Sequence, residues 1–354
     1  MAERVVSIAG DVMFHTQLDQ LRCAGDGFES ALTELERSDL VIANLEMPLS
    51  RRGYRVPKYA NIRSDPEMID GVRAMGIDVV SMANNHMMDY GPDAMFDTIA
   101  ACDRTGIAHA GAGPDLEAAF APAWLDVGGA RVGMLSAACT LPVESDAAPG
   151  KPGIAPVRVG FAFEVDPNLM AEQPGTVPTV QSWVREEAQE ELCRRVRDMK
   201  AQADVAIVVM HWGVPSYWLS PAQGPLAAYQ RPVAHAIIEA GADLIAGNHP
   251  HGLNPVEIYH GKPIFYSLGN FVYEDLWDFM GPESILVRLS LDRGTVELVP
   301  VLLNERGIPR CATGDEADTI LGKLDTMSSP YGTRISIENH RGYPIAASTP
   351  PVAV

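Results

Sequence analysis

The chain has 354 residues, of which 47% are hydrophobic and 21% are charged. This apolar content argues against a disordered chain, and the length allows one large α/β domain or two smaller ones. The 46 acidic and 27 basic residues give a net charge of −19, so we predict no nucleic-acid partner and no binding to anionic membranes. The charge also disfavours a strongly polyanionic substrate, unless a metal ion supplies local positive charge.

Neither a targeting segment nor a membrane span is recognisable in the sequence. The apolar stretch at 5–9 is too short for either, and no other run approaches the roughly 18 apolar residues that indicate a span. The five cysteines are scattered without CxxC spacing, which is typical of reduced cytosolic thiols. We therefore predict a cytoplasmic protein, and the sequence indicates nothing about its oligomeric state.

Short apolar runs alternate with helix-like stretches over the first 140 residues. Strands are predicted at 5–9, 40–44, 79–82, 107–110 and 131–136, and helices at 28–37, 66–75 and 94–105. Strands separated by helices of about ten residues are typical of βαβ units. The first part of the chain is therefore predicted to form a mostly parallel sheet.

Residues 141–182 break this pattern, because prolines at such density exclude a regular helix or a central strand. A long loop inside a compact domain is usually functional or disordered, so this insertion either borders the site or decorates the surface. We predict one catalytic domain, 1–305, that carries the insertion, and a C-terminal extension, 306–354.

Regular structure is predicted to return after the insertion, with more antiparallel strands than before. The elements are a charged helix at 184–200, a strand at 205–210, a helix at 230–239, a strand at 244–246, and hairpins at 256–259 with 264–267 and 285–291 with 295–302. The Pro/Ala-rich tail beyond Tyr343 is expected to be loosely held.

Side chains with metal-binding chemistry follow six predicted strands. They are Asp11, Asn44, Glu46, Asn84, Asn85, His86, Asp89, His211, His249, His251 and Asn270. In an open α/β sheet, ligands bind at the carboxyl ends of the strands, so these groups are expected to meet at one edge. Mixed carboxylate, amide and imidazole ligands suit Mn, Ca, Zn, Fe or Mg, so the pattern predicts a divalent metal site.

The motifs form an ordered set from about residue 5 to residue 275. They are Gly10-Asp11, Asn44-Leu45-Glu46, Asn85-His86 with Asp89-Tyr90-Gly91, Gly111-Ala112-Gly113, His211-Trp212-Gly213, Gly247-Asn248-His249-Pro250-His251 and Ser267-Leu268-Gly269-Asn270-Phe271. This set resembles the CapA-like (poly-γ-glutamate capsule synthesis) family, a branch of the calcineurin-like metallophosphoesterases. The resemblance implies a four-layer αββα sandwich with metal ligands among Asp11, Glu46, Asn85, His211, His249 and His251.

Two departures from the phosphoesterase pattern bear on the metal site. Dinuclear phosphoesterases open with Asp-x-His, whereas this chain has Asp11-Val12-Met13, and a thioether is a poor ligand for a hard metal. The second bridging aspartate motif is replaced by Asn44-Leu45-Glu46. We therefore expect one well-bound ion, which argues against phosphoester cleavage by two metal ions.

Family membership leaves several reactions open. The family includes anchored capsule proteins and enzymes of biosynthetic clusters, among them lasso-peptide epimerases, and this acidic chain resembles the second group. We expect a metal-dependent enzyme that epimerises a Cα centre of a precursor peptide. The alternatives are a phosphoester hydrolase, a capsule-related enzyme, and a metal-binding scaffold without turnover.

The acid/base and substrate-binding residues remain open at this point. The acid/base candidates are Asp11, His86, Asp89, His211 and His251, with Asp89 orienting His86. The sequence does not separate metal ligands from proton carriers. For substrate contacts the candidates are Lys58, Arg63 and Trp212. Arg63 either clamps a carboxylate or is a surface arginine, and Trp212 either lines an aromatic pocket or packs in the core.

Overall fold

The computed structural model describes residues 3–24, 27–219, 224–274 and 280–347. The strands in this part of the chain are β1 (Val5–Met13), β2 (Leu40–Leu45), β3 (Val79–Ser81), β4 (Ala108–Ala110), β5 (Ala112–Gly113), β6 (Ala123–Val127), β7 (Ala130–Ala138), β8 (Gly153–Ile154), β9 (Val159–Glu164), β10 (Thr179–Val184), β11 (Val205–His211), β12 (Leu244–Asn248), β13 (Val256–Tyr259), β14 (Lys262–Phe265), β15 (Asn270–Tyr273), β16 (Glu283–Ser290), β17 (Val296–Leu303), β18 (Pro309–Cys311), β19 (Thr333–Glu338) and β20 (Arg341–Ala346).

The helices pack outside these strands. They are α1 (Leu18–Ala24), α2 (Phe28–Glu36), α3 (Met68–Ala74), α4 (Gly91–Thr105), α5 (Leu116–Ala119), α6 (Pro167–Glu172), α7 (Glu186–Lys200), α8 (Gln230–Glu239) and α9 (Gly314–Ser328). None of the helices in the described ranges is long and apolar enough to cross a bilayer.

Two large sheets form the body of the protein. The first sheet has ten strands in the order β19-β20-β17-β16-β1-β2-β3-β4, with β15 beside β1 and β18 beside β17. The second sheet has six strands in the order β13-β14-β12-β11-β7-β6. Strands β1 to β4 are parallel to one another, as are β7, β11, β12 and β14, so each sheet has a group of carboxyl ends at one edge.

Three apolar cores hold the sheets and helices together. Between the two sheets, Val6 and Ile42 of the first face Met134 and Val209 of the second, and all four are buried. A second core lies between the first sheet and α1 to α4, and a third lies between the second sheet and α7 and α8. Helix, sheet, sheet and helix layers therefore follow one another, which confirms the predicted αββα sandwich.

Most predicted strands and helices are confirmed, with ends shifted by a few residues. The extension of β1 to Met13 is the shift that matters, because it places Asp11 inside the strand. Gly10 is required just before it, since a Cβ there would lie 1.9 Å from the carbonyl oxygen of Gly269. Strand β6, at the edge of the second sheet, is not among the strands predicted from the sequence.

The insertion at 141–182 corrects one prediction. No part of it enters a large sheet, as expected, but it contains the regular helix α6, which begins at Pro167, where proline is compatible with a first turn. Its later part forms the separate β9–β10 hairpin. That hairpin carries Phe161 and Phe163, which are 65% and 67% exposed and therefore lie on the surface of the protein.

The C-terminal segment adds to the first sheet. Strand β20 pairs with both β17 and β19, and α9 packs beside them. The expectation of a loose tail beyond Tyr343 is wrong as far as Ala346, which pairs with Thr333. The residues after Ala347 lie outside the described part, and the boundary at 305/306 stays a prediction.

Candidate metal centre

The carboxyl ends of central strands from both sheets meet at one place. Asp11 lies in β1 and Glu46 directly follows β2, while His211 ends β11, and His249 and His251 follow β12. Asp11, Glu46, His211 and His251 are at most 5% exposed, and His249 is partly buried. The cluster therefore spans the two sheets, whereas the sequence predicted the edge of one.

These side chains form two overlapping groups with the composition of metal sites. One group is Asp11, Glu46 and His251, and the other is Glu46, His211 and His249, with the ligand atoms of each within 4.8 Å of one another. Glu46 Oε1 lies 3.4 Å from His211 Nε2 and 3.8 Å from His251 Nε2. Glu46 therefore belongs to both groups, as a carboxylate between two ions would.

Three asparagines surround the cluster and orient its members. Asn44 Nδ2 donates to Asp11 Oδ1 at 2.7 Å, and Asn85 Oδ1 lies 2.7 Å from His211 Nε2. His251 Nδ1 lies 2.9 Å from Asn270 Oδ1. With the proton of His251 on Nδ1, Nε2 keeps its lone pair towards Glu46, which is the usual arrangement of a metal-binding histidine.

Unpartnered polar atoms indicate that a cation fits this cluster. Both carboxylate oxygens of Glu46 and Nδ1 of His249 are buried without a hydrogen-bond partner among the described residues. Burial, and then the neighbouring Asp11, raise the pKa of Glu46 well above its ordinary value. Such groups are costly to bury alone, and a divalent ion would supply both the missing contacts and the missing charge.

Two histidines of the cluster, His211 and His249, are held in the form that binds metals. Burial lowers the pKa of His211 to about 3, although Asp11 acts in the opposite direction. Burial, and then the neighbouring histidines, lower the pKa of His249 well below its ordinary value. Neutral imidazoles are therefore present at neutral pH, as metal coordination requires.

The loop that carries His249 and His251 has a strained backbone. Both residues have positive φ angles, 97° and 56°. Non-glycine residues rarely adopt this conformation, and when they do so the surrounding structure must stabilise it. Both residues belong to the ligand groups that share Glu46, so the strained conformation is found at the candidate site.

A separate group of three residues stands beside the cluster. His86 Nδ1 lies 2.7 Å from Asp89 Oδ2, and Lys58 Nζ donates to Asp89 Oδ1 and to the Asn85 carbonyl oxygen, both at 2.6 Å. The ring of His86 is therefore held by the carboxylate of Asp89. Burial lowers the pKa of His86 to about 4, although the bond with Asp89 favours the charged ring. Lys58 is therefore engaged in holding Asp89 and Asn85.

An open cleft of about 540 Å³ lies above the metal groups, and we call it the first cleft. Its described lining residues are Met13, His15, Lys58, Tyr59, Ala60, Asn61, Ile62, Arg63, Asn85, His86, Tyr90, Pro215, Trp218, His249, His251, Tyr273 and Met280. None of these is a carboxylate, although the chain as a whole is strongly acidic. The described walls therefore favour an anionic ligand.

The structure separates the predicted substrate-binding residues. Arg63 lines the first cleft, with its guanidinium carbon 4.1 Å from the centre of the Tyr90 ring. Trp212 does not line it, and this corrects the prediction. Its ring is fully buried, stacks on Tyr266 and donates to the Tyr266 carbonyl oxygen at 2.9 Å. Trp212 is therefore a core residue, and Trp218 lines the described part of the cleft.

His15 is a cleft residue that the sequence analysis missed. It follows β1 after an apolar stretch, so no motif marked it. Its main-chain N–H donates to Glu274 at 2.7 Å, which fixes the start of this loop. The side chain is half exposed at the wall of the first cleft.

A family model for the bacterial capsule synthesis protein PGA_cap matches residues 5–275. This chain belongs to that capsule synthesis family. The match covers every member of the metal cluster, as well as His86 and Asp89, so the motifs that carried the resemblance are the ones the fold brings together.

Several relatives match this chain over most of its length. An uncharacterized protein of Sinorhizobium fredii is 28% identical over 89% of this chain and 88% of its own. The capsule biosynthesis protein CapA of Bacillus anthracis is 29% identical over 87% of this chain and 69% of its own. A probable polyglutamine synthesis accessory protein of Mycobacterium tuberculosis is 30% identical, over 86% and 76% respectively.

Proposed function

We propose that this chain is a divalent-metal-dependent enzyme that acts on an acidic polyamide of the poly-γ-glutamate type during capsule or polyglutamate production. The observation that carries the proposal is the shared position of Glu46, buried between two ligand groups beneath a cleft whose described walls include Arg63 and no carboxylate. The name of the Bacillus anthracis relative supports a role in capsule production, and that of the Mycobacterium tuberculosis relative supports a polymer of amide-linked units. The acidic character of the substrate is inferred from the cleft.

The metal would be held by the six residues that the resemblance implied. They are Asp11, Glu46, Asn85, His211, His249 and His251. When bound, a divalent ion supplies Lewis-acid polarisation of a carbonyl or phosphoryl oxygen. Because Glu46 belongs to two ligand groups, we favour two ions over the single ion expected from the sequence.

The reaction that the side chains favour is hydrolysis of an amide bond. His86 lines the first cleft, lies outside both ligand groups and is held by Asp89 through a 2.7 Å contact. Its Nε2 would take one proton from the attacking water and deliver it to the amine nitrogen that leaves. The carbonyl carbon gains the water oxygen as the C–N bond breaks, so one water is consumed for each cleavage.

The charge of the first cleft supports a carboxylate-bearing substrate. Arg63 presents a planar guanidinium that can bind a carboxylate through two hydrogen bonds. The net charge of the chain disfavours a polyanionic substrate unless a metal ion supplies positive charge near the site. The cleft and its metal ions would supply that charge.

Epimerisation remains a second candidate, favoured by one specific observation. An epimerase moves protons on both faces of a Cα centre and therefore uses two acid/base groups. His15 and His86 both line the first cleft and both lie outside the ligand groups. Phosphoester hydrolysis would use His86 alone, and the thioether of Met13, where phosphoesterases have a histidine, counts against it.

One experiment separates these reactions. The manganese-loaded protein is incubated in D₂O with γ-linked and α-linked glutamate oligomers and, separately, with p-nitrophenyl phosphate. We expect shorter oligomers in the mass spectra, no cleavage after chelation, and no release of phosphate. Uptake of one deuterium at a Cα without cleavage would contradict hydrolysis and establish epimerisation, and inert oligomers would contradict the proposal itself.

A variant of the substrate-binding arginine gives a second readout in the same assay. Arg63→Met is expected to raise KM about tenfold with little change in kcat, because the guanidinium binds a carboxylate that takes no part in the reaction. Arg104→Met, at an exposed position in α4, is the matched control and should leave KM unchanged.

A further inference from the structure

A second cleft of about 440 Å³ lies next to the first. Its described lining residues are Tyr54, Val56, Pro57, Lys58, Asn85, Met88, Asp89, Gly91, Pro92, Pro142, Val143, Glu144, Ser145, Lys151 and Pro152. Lys58 and Asn85 line both clefts, so the two spaces meet at the residues that border the metal centre and hold Asp89.

The walls of the second cleft are more apolar than those of the first. Four prolines line it, together with Tyr54 and Val143. The charges of its two lysines are neutralised, because Lys58 pairs with Asp89 and Lys151 pairs with Asp146. Apart from the exposed carboxylate of Glu144, the second cleft therefore offers contact to uncharged groups, whereas the first offers the positive charge of Arg63.

The second cleft is also built from fixed backbone. The main-chain N–H groups of Tyr54 and Val56 donate to the carbonyl oxygens of Tyr90 and Asp89, at 3.1 and 3.0 Å. Its proline walls have restricted φ angles and no rotatable side chains to order. A ligand in this cleft would therefore lose little affinity to the ordering of the protein.

We propose that the second cleft is a substrate subsite for the uncharged backbone of an extended polyamide, its amides and methylene groups, on one side of the reacting unit. This inference rests on the proposed function and makes it more specific. A chain whose reacting unit lies over the metal groups continues past Lys58 into the second cleft. The enzyme then acts within a chain rather than on a short terminal unit.

The size and position of the second cleft support this subsite. A volume of about 440 Å³ lies within the range of pockets that enclose a drug-sized ligand, so it accommodates a few units of a chain. The first part of the insertion, 142–152, supplies one wall. This part therefore borders the site, while the β9–β10 hairpin that follows is surface structure.

The test compares the binding of short and long oligomers. End-labelled γ-linked glutamate dimer and octamer are titrated, by fluorescence anisotropy, into manganese-loaded His86→Ala protein, which is expected to bind the oligomers without consuming them. We expect the octamer to bind at least about tenfold more tightly than the dimer. Equal affinities, or no binding of either oligomer, would overturn the proposal.

Two further variants test whether the tighter binding of the octamer arises in the second cleft. Val143 lines the second cleft and is 92% exposed, so the larger side chain in Val143→Trp narrows this cleft without disturbing the core. This variant should remove most of the octamer's advantage while leaving dimer binding unchanged. Val177→Trp, at a 70% exposed valine outside the second cleft, is the matched control. Persistence of the octamer's advantage in Val143→Trp would refute the subsite.

Failure of the subsite and failure of the proposed function give different results. Cleavage of dimer and octamer by the wild-type protein with equal kcat/KM would support the proposed function and contradict the proposed subsite. The opposite result is tighter binding of the octamer that is lost in Val143→Trp, without cleavage or epimerisation by the wild-type protein. It would support the subsite and contradict the proposed reaction.

Discussion

Glu46→Gln is expected to remove metal binding and to lower activity about a thousandfold. Glu46 belongs to both ligand groups, so an amide in its place weakens both at once. Lewis-acid stabilisation is worth several kcal/mol, and each 1.4 kcal/mol or so is a tenfold change in rate. Metal content after dialysis, measured by inductively coupled plasma mass spectrometry, and kcat on γ-linked oligomers test this prediction.

The same variant should make the metal-free protein more stable. Burial and Asp11 raise the pKa of Glu46, so the folded chelated protein loses stability as pH rises above the carboxyl's ordinary pKa. Glutamine has no carboxylate charge to bury. We therefore expect the free energy of unfolding of the chelated variant to exceed that of the chelated wild type by about 1–2 kcal/mol at pH 7, and this difference to disappear at about pH 4. Denaturant unfolding at the two pH values measures it.

Glu257→Gln is the matched control for Glu46→Gln. Glu257 is also a buried carboxylate, but it accepts hydrogen bonds from Arg231, His235 and Tyr266, away from the cluster. Its variant should lose stability and keep its metal. Full metal content in Glu46→Gln, or a lower stability of its chelated form, would contradict the assignment of Glu46.

His86→Ala is expected to lower kcat by about a thousandfold while the metal content stays unchanged. General acid/base catalysis by one side chain contributes roughly 10²- to 10⁴-fold, and His86 lies outside both ligand groups. Asp89→Asn should lower kcat as well, because Asp89 positions the ring of His86. Single-turnover rates together with metal content measure both effects.

A surface pair serves as the matched control for these two variants. His109 and Asp103 form a comparable ion pair, 3.3 Å apart, with Asp103 largely exposed. His109→Ala should change neither kcat nor metal content. A loss of metal in His86→Ala would make His86 a ligand rather than a proton carrier. If the pH profile of kcat is unchanged in Asp89→Asn, Asp89 has a structural role only.

The sequence pattern predicts the βαβ order and the strand-end cluster for a physical reason, whereas the four layers are implied by the family resemblance. Alternating apolar runs and helical segments determine the βαβ order, and the carboxyl ends of parallel strands must meet. Glu46 and His211 lie at such ends, and Asp11 lies two residues before the end of β1. The cytoplasmic location and the peptide substrate are not tested by the fold and stay predictions.

Other features depend on how the two sheets pack. Glu46 is shared between two ligand groups because β2 and β11 belong to different sheets that face each other. The spacing of residues along the sequence does not reveal the distance between strands of two different sheets. Trp212 follows His211 in sequence but points into the core. Since successive side chains of a strand point to opposite faces, a one-residue step separates a ligand from a core residue.

Anomalous diffraction from crystals soaked in manganese locates the ions of the metal centre. We expect two anomalous peaks that both contact Glu46, one of them with Asp11 and His251 and the other with His211 and His249. A single peak that contacts Glu46 would support one ion, as the sequence alone suggested. The absence of any peak in contact with Glu46 would contradict the metal centre itself.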